Sequence, residues 1–198
     1  MENKVISIRK ITVTAIMSAI SAVLMFLEFS IPIVPSFLKF DFSDLPAVIT
    51  SFALGPVWGV IVELLKNVIH LPVSGTSGVG ELANFIIGAL LVFPAGLIYK
   101  LKKDRTGAVI GSLAGAFIAA AVSIPVNLFI TYPFYTNFMP MEAIIAAYKA
   151  ILPAADTLIK ALVIFNVPFT FVKGMICVLL TFLVYKKLSP VIKGKNKK

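Results

Sequence analysis

The sequence predicts an all-α membrane protein, a single domain over residues 1–198 with six transmembrane helices and both termini on the cytoplasmic side. Three observations carry that prediction. The first is composition: 59% of residues are hydrophobic, 14% are charged, and the mean hydropathy is +1.00. A soluble domain is roughly 45–50% apolar and about 25% charged, so the excess here calls for a bilayer as its solvent. The second is a succession of apolar runs separated by polar, proline-rich or basic connectors. The third is where the net charge of +9 resides. Most of the Lys and Arg residues fall into three clusters: Lys4, Arg9 and Lys10; Lys100, Lys102, Lys103 and Arg105; and Lys186, Lys187, Lys193, Lys195, Lys197 and Lys198. Each cluster flanks an apolar run. With six crossings all three fall on one side, the positive-inside pattern. The basic tail lacks the interleaved aromatics that would stack on bases, so the charge speaks for membrane orientation rather than nucleic acid.

Span one covers about 10–29 and starts after a basic segment. It is long and no small-residue cleavage site follows it, so it reads as an uncleaved helix rather than a signal peptide. Ala15, Ser18, Ala19 and Ala22 form a small-residue stripe, which in lipid admits a second helix at close range, from this bundle or from a partner. Pro32 and Pro35 force a non-helical connection. Span two, about 44–55, opens with Asp44 as N-cap and Pro46 in the first turn. It is too short to cross unaided. Gly55-Pro56 ends it. Span three, about 57–72, has Trp58 in an aromatic-belt position and carries Glu63, Lys66, Asn67 and His70 toward its end. Charges at such depth are costly, so residues 38–70 read as the floor and one wall of a small-molecule pocket facing outward.

A glycine-rich loop over 73–80 precedes span four, about 81–100, which holds Asn84 near its start. Span five, about 107–130, is rich in Gly and Ala early and carries Asn127 late. Residues 136–158 are amphipathic and predict an outside loop with a short interfacial helix. Span six, about 160–185, is expected to be interrupted at Asn166-Val167-Pro168, and holds Thr170 and Lys173. The lone Cys177 excludes an internal disulfide and a multi-cysteine metal site; a small core residue is its simplest role.

The outward ends of spans five and six put Asn127, Thr170 and Lys173 at similar depth, with Tyr132, Phe134, Tyr135, Phe165 and Phe169 around them. A few convergent polar groups in an aromatic pocket are the usual form of a ligand site. An asparagine offers both donors and acceptor to the edge of a planar heterocycle. A lysine at that depth needs a partner, a polar ligand, or a path along which to snorkel to the surface.

At this point the chain resembles a family, the riboflavin-binding membrane subunits (S components) of energy-coupling factor (ECF) vitamin importers. The resemblance rests on Leu38-Lys-Phe-Asp-Phe-Ser-Asp-Leu-Pro-Ala47, Gly55-Pro-Val-Trp-Gly59, Glu63-Leu-Leu-Lys-Asn67, Val79-Gly-Glu-Leu-Ala-Asn-Phe85, Asn127 six residues before Pro133, and Pro168-Phe-Thr-Phe-Val-Lys-Gly174. It implies a six-helix S-component bundle that binds riboflavin, or a close flavin, from outside. It implies no resident cofactor, since the flavin is cargo. It also implies partners: a transmembrane coupling subunit and two cytoplasmic ATPases. The ligand-binding residues it points to are Asn127, Lys173, Thr170, Asn84, Leu38, Lys39, Asp41 and Tyr135. Ala15 and Ala19 match the Ala-x-x-x-Ala face toward the coupling subunit. Where relatives have asparagine three residues before the lysine, this chain has Thr170; one hydroxyl does not reproduce an amide's paired donor and acceptor. A water, or Asn166 nearby, is expected to make up the difference.

The chain contains no Gly-x-x-x-x-Gly-Lys-Ser/Thr phosphate loop, so ATP-driven import needs another chain as ATPase. Rival readings are weaker. Gly75-Thr76-Ser77-Gly78 resembles the nucleophile motif of rhomboid intramembrane proteases, but the only histidine, His70, precedes the serine instead of following it. A stand-alone secondary carrier predicts paired broken helices in two halves, and none is seen. An S component for another vitamin is the remaining alternative.

Overall fold

A computed structural model describes residues 7–193. Lys4, Lys195, Lys197 and Lys198 lie outside the described residues, so their part in the basic clusters is not placed. The chain forms α1 (Ile8–Phe26), a two-residue strand pair β1 (Phe29–Ser30) and β2 (Lys39–Phe40), α2 (Asp44–Leu54), α3 (Pro56–His70), α4 (Val79–Leu101), α5 (Arg105–Val126), α6 (Tyr132–Tyr135), α7 (Met141–Ile151), α8 (Leu158–Ala161) and α9 (Val167–Lys193). Among the described residues, five helical runs are long and apolar enough to cross a bilayer: Ile8–Phe26, Pro56–Val73, Val79–Leu101, Arg105–Tyr135 and Leu158–Tyr185. The apolar α2 is shorter.

α2 and α3 form an antiparallel hairpin. Gly55 caps α2 with φ +114°, a conformation that disfavours any side chain, and Pro56 occupies the first turn of α3, where its missing N–H costs nothing. The hairpin closes tightly because Gly59 faces α2; a Cβ there would stand 2.6 Å from Ser51 Cβ. Ser51 in turn donates to the Val92 carbonyl of α4 at 2.7 Å. α4 and α5 also approach closely. A Cβ on Gly115 would meet the Leu91 carbonyl oxygen at 2.2 Å.

Several elements depart from the sequence expectation. α1 ends at Phe26, and residues 29–30 pair with 39–40 in a short antiparallel ladder, which ties the ends of the first loop together. Asp44 is not an N-cap. Ser43 takes that position without a side-chain cap bond, and the Asp44 carboxylate points instead to Lys66. Span six is not interrupted. Residues Leu162–Asn166 widen into a π-helical turn that continues into α9, and Asn127–Thr131 do the same between α5 and α6. Each π turn stands two residues ahead of a proline, Pro168 or Pro133. Proline supplies no N–H and its ring crowds the carbonyl four residues back; one wide turn relieves both problems without breaking the helix.

The small-residue stripe of α1 divides. Ser18 and Ala22 are buried in the bundle, while Ala15 and Ala19 are exposed beside Ile16, Ile20 and Val23. Two apolar cores result. One joins α2, α4, α5 and α9 through Val48, Phe52, Leu91, Val92, Ala116 and Val178. The other seats the amphipathic α7 on the opposite end through Ile144, Tyr148, Leu162 and Phe165.

Candidate functional site

Between the two cores lies a cavity of about 630 Å³, within the range of small-molecule sites. It opens at the end of the bundle that carries the loops after α1, α3 and α6, where Phe26, Val73, Gly75 and Phe138 form its rim. The connector with Lys100, Lys102, Lys103 and Arg105 is at the opposite end. All eight residues that the sequence put forward for a ligand line this one cavity: Leu38, Lys39 and Asp41 from the first loop, Asn84 from α4, Asn127 and Tyr135 from the α5–α6 run, and Thr170 and Lys173 from α9.

Lys173 does not snorkel. It is 9% exposed, and its Nζ donates to Asp41 Oδ2 at 2.8 Å, with Asp44 Oδ2 at 4.0 Å. Asp41 also accepts from the Ser43 backbone N–H at 2.7 Å. Burial alone would push the Asp41 carboxyl up, but Lys173 and then Lys66 outweigh it and hold the group down at about 2. Behind this pair, Lys66 of α3 is fully buried and donates to Ser43 Oγ at 2.8 Å and Asp44 Oδ1 at 2.5 Å. Its Nζ also lies 2.7 Å from Glu63 Oε2, a close contact between two fully buried side chains. The Glu63 carboxylate sits behind Gly88 in the cavity wall; a Cβ there would meet Oε2 at 2.4 Å. Five ionisable side chains, three acidic and two basic, thus join the first loop, α2, α3 and α9. The first loop can run this deep as irregular backbone because it is buried in protein and lines a cavity. Leu38, Lys39, Asp41, Asp44 and His70 line the cavity, with Glu63 and Lys66 lying behind the lining.

Asn127 stands on the first π turn. Its Nδ2 donates to the Ser123 carbonyl at 2.7 Å, which orients the amide, and the residue lines the cavity. Asn84 Oδ1 accepts from Asn67 Nδ2 at 3.4 Å. Lys39 is exposed at the mouth and donates to Ser30 Oγ at 3.0 Å.

Two polar clusters were not foreseen. Tyr132 and Tyr148 hydroxyls are hydrogen-bonded; Tyr148 donates to Asn166 Oδ1 at 2.6 Å, and Asn166 Nδ2 donates to Tyr132 Oη at 3.2 Å. This triangle takes the Asn166 oxygen and one of its two N–H groups, and Asn166 itself lines the cavity. Burial, and then the neighbouring Tyr132, push the Tyr148 hydroxyl well above the usual phenol range. At the mouth, Glu81 accepts from Ser74 at 2.6 Å and Thr76 at 3.2 Å, and its other oxygen lies 2.8 Å from His70 Nδ1. His70 is thus bonded to Glu81, and among the described residues no hydrogen bond joins it to Ser77, which is exposed on a left-handed turn (φ 51°). The protease-like arrangement is not assembled. His70, Glu81 and Asn166 carried a sequence signal only as polar residues at span ends. Their pairing is a tertiary fact.

A family model described as ECF transporter, substrate-specific component matches residues 9–185. Similar curated proteins include the riboflavin transporter FmnP of Bacillus subtilis, 31% identical with 96% of each chain covered, and the riboflavin transporter RibU of Staphylococcus aureus, 30% identical with 93% of each covered. A solved structure described as the S component of a bacterial ECF transporter superposes with a TM-score of 0.74 at 29% identity, over 93% of this chain and 97% of that one.

Proposed function

Because the chain belongs to the substrate-specific components of ECF transporters, we propose that it captures riboflavin, or a close flavin, from the outer side of the plasma membrane for ATP-driven import. The relatives named for riboflavin transport support the cargo. The cavity supports the mode of binding. A flavin is a flat tricyclic ring with one edge of alternating carbonyls and N–H groups and a polyol tail. Phe37, Tyr132, Tyr135 and Phe169 offer faces and edges to the ring, while Asn127, Thr170 and Lys173 read its polar edge. The observation that carries the reading is the convergence of Lys173 and Asn127 on one aromatic cavity. Asp41 takes one Lys173 N–H and leaves others free to donate to a ligand carbonyl. Leu38, Lys39 and Asp41 come from the first loop, which closes over the ligand, and Asn84 faces it from α4.

The alternation of helices puts Arg9 and Lys10, the Lys100–Arg105 connector and Lys187 at the end opposite the cavity mouth. With the positive-inside rule, both termini are cytoplasmic and the mouth faces out, α2 and α3 counting as the hairpin that completes six spans. Delivery falls to a transmembrane coupling subunit and two ATPases, which Ala15 and Ala19 help to engage across the exposed face of α1. Titration of detergent-solubilised protein, followed by flavin fluorescence, tests the reading. Lys173→Ala and Asn127→Ala each weaken binding by roughly 1–3 kcal/mol, the cost of a buried hydrogen bond left unmade. Unaltered affinity in both variants rejects it.

A further inference from the structure

Lys66 is buried on α3 and is absent from the cavity lining. Its contacts nevertheless decide which partner Lys173 has. Asp44 lies between the two lysines: Oδ1 is 2.5 Å from Lys66 Nζ, and Oδ2 is 4.0 Å from Lys173 Nζ. Lys173 is bonded to Asp41 at 2.8 Å. With Lys66 present, Asp44 is satisfied and Lys173 stays on the loop residue, with its remaining donors toward the cavity. Without Lys66, Asp44 is a buried carboxylate with one cation within reach, and a buried charge takes whatever partner is available. That cation is Lys173. Moving to Asp44 would draw it away from Asp41 and loosen the first loop, which Lys66 also holds through Ser43.

We propose that Lys66 is a positioning residue for ligand capture. By neutralising Asp44, it keeps Lys173 paired with Asp41 and aimed into the cavity. The proposal rests on the flavin-binding reading above. It differs from a merely structural role in acting through Lys173, so its effect must vanish when Lys173 is already gone.

The test is a set of flavin titrations on purified full-length protein: parent, Lys66→Met, Lys173→Met, the two combined, and Lys66→Met with Asp44→Asn. The expected result is a loss on the order of tenfold for Lys66→Met, no further loss when it is added to Lys173→Met, and recovery to within about threefold of the parent when Asp44→Asn removes the stranded charge. Parent-like affinity in Lys66→Met overturns the proposal, as does a loss that adds in full to that of Lys173→Met. Should Lys66→Met not fold, the combination with Asp44→Asn decides, because it removes Lys66 together with the carboxylate it hydrogen-bonds: folded and binding within threefold supports the proposal, folded and not binding overturns it. A parent that binds no flavin defeats the functional reading instead, so the two failures are told apart.

Discussion

Two buried polar clusters flank the cavity, and they are built on opposite principles. The first joins Asp41, Asp44, Glu63, Lys66 and Lys173, carries more acid than base, and leaves Lys173 donors facing the ligand space. The second, Tyr132, Tyr148 and Asn166, is uncharged and closes on itself. Both fasten a segment outside the long helices to the bundle: the charged cluster holds the first loop, and the neutral triangle joins α7 to Tyr132 and Asn166. The difference teaches which contact can change. A neutral triangle bonded within itself keeps its hydrogen bonds whether or not a ligand is present. A charged cluster with open donors can give part of its bonding to a guest, so the first loop is the movable side and α7 the fixed brace.

The sharpest way to break that comparison is to strand a charge. Asp41→Ala leaves Lys173 buried without its nearest acceptor, and loss of one member of a buried pair costs about 3–5 kcal/mol. Thermal unfolding in detergent should show it, and Lys173→Met added to Asp41→Ala should regain most of the loss. If Asp41→Ala unfolds like the parent, the ion pair does not hold the loop.

Acid separates the clusters more gently. The Asp41 carboxyl is held at about 2 against an ordinary value of 3.8. A lowered carboxylate contributes stability that is fully present above the unfolded value and is lost as pH falls through the folded one. The first loop should therefore stay docked from neutrality down to about pH 4 and release between there and about pH 2, a change of about 2 kcal/mol. The Tyr148 hydroxyl, pushed upward, stays protonated throughout, so α7 should stay seated. Hydrogen exchange on residues 31–43 against 141–151 at graded pH reads both at once. Simultaneous release of the two would erase the distinction.

Tyr148→Phe is the matching test of the neutral side. It removes one hydroxyl from the triangle and keeps the ring packed against Phe37 and Phe165. That hydroxyl makes two of the triangle's bonds, to Tyr132 and to Asn166, and a net hydrogen bond is worth about 1 kcal/mol. Stability should drop by about 2 kcal/mol, with flavin affinity changing less than it does in Lys173→Ala.

The same contrast explains what was legible in the sequence. The spans were readable because apolar runs and basic flanks are local signals. The cavity residues were found because polar side chains in apolar runs are conspicuous, and the quoted motifs placed them. The Lys173 to Asp41 bond was not readable: the two lie 132 positions apart, and nothing local announces a pairing that distant. The interruption expected at Pro168 fails for a different reason. Proline removes a hydrogen bond and crowds a carbonyl, which predicts a break, yet a π turn solves both locally and keeps the helix whole. Asp44 has the sequence context of a cap, but Pro46 two residues on offers no N–H, and the buried Lys66 takes the carboxylate instead.

The smallest expected effect on the folded protein is also the one that tests the outer surface. Ala15 and Ala19 are exposed on α1, while Ser18 and Ala22, from the same stripe, are buried. Replacing the exposed pair with leucine adds apolar volume where the bundle makes no contact, so stability should move by no more than about 0.5 kcal/mol. Flavin affinity should be unchanged, since neither cluster nor cavity is touched. Co-purification with the coupling subunit and the ATPases, and flavin uptake in cells, should both fall sharply, because small residues are what let two helices meet closely in lipid. Leucine at Ser18 or Ala22 should do the reverse and destabilise the bundle first. If Ala15→Leu with Ala19→Leu binds, assembles and transports like the parent, the exposed half of the stripe faces lipid alone, and partner contact must be sought on another helix.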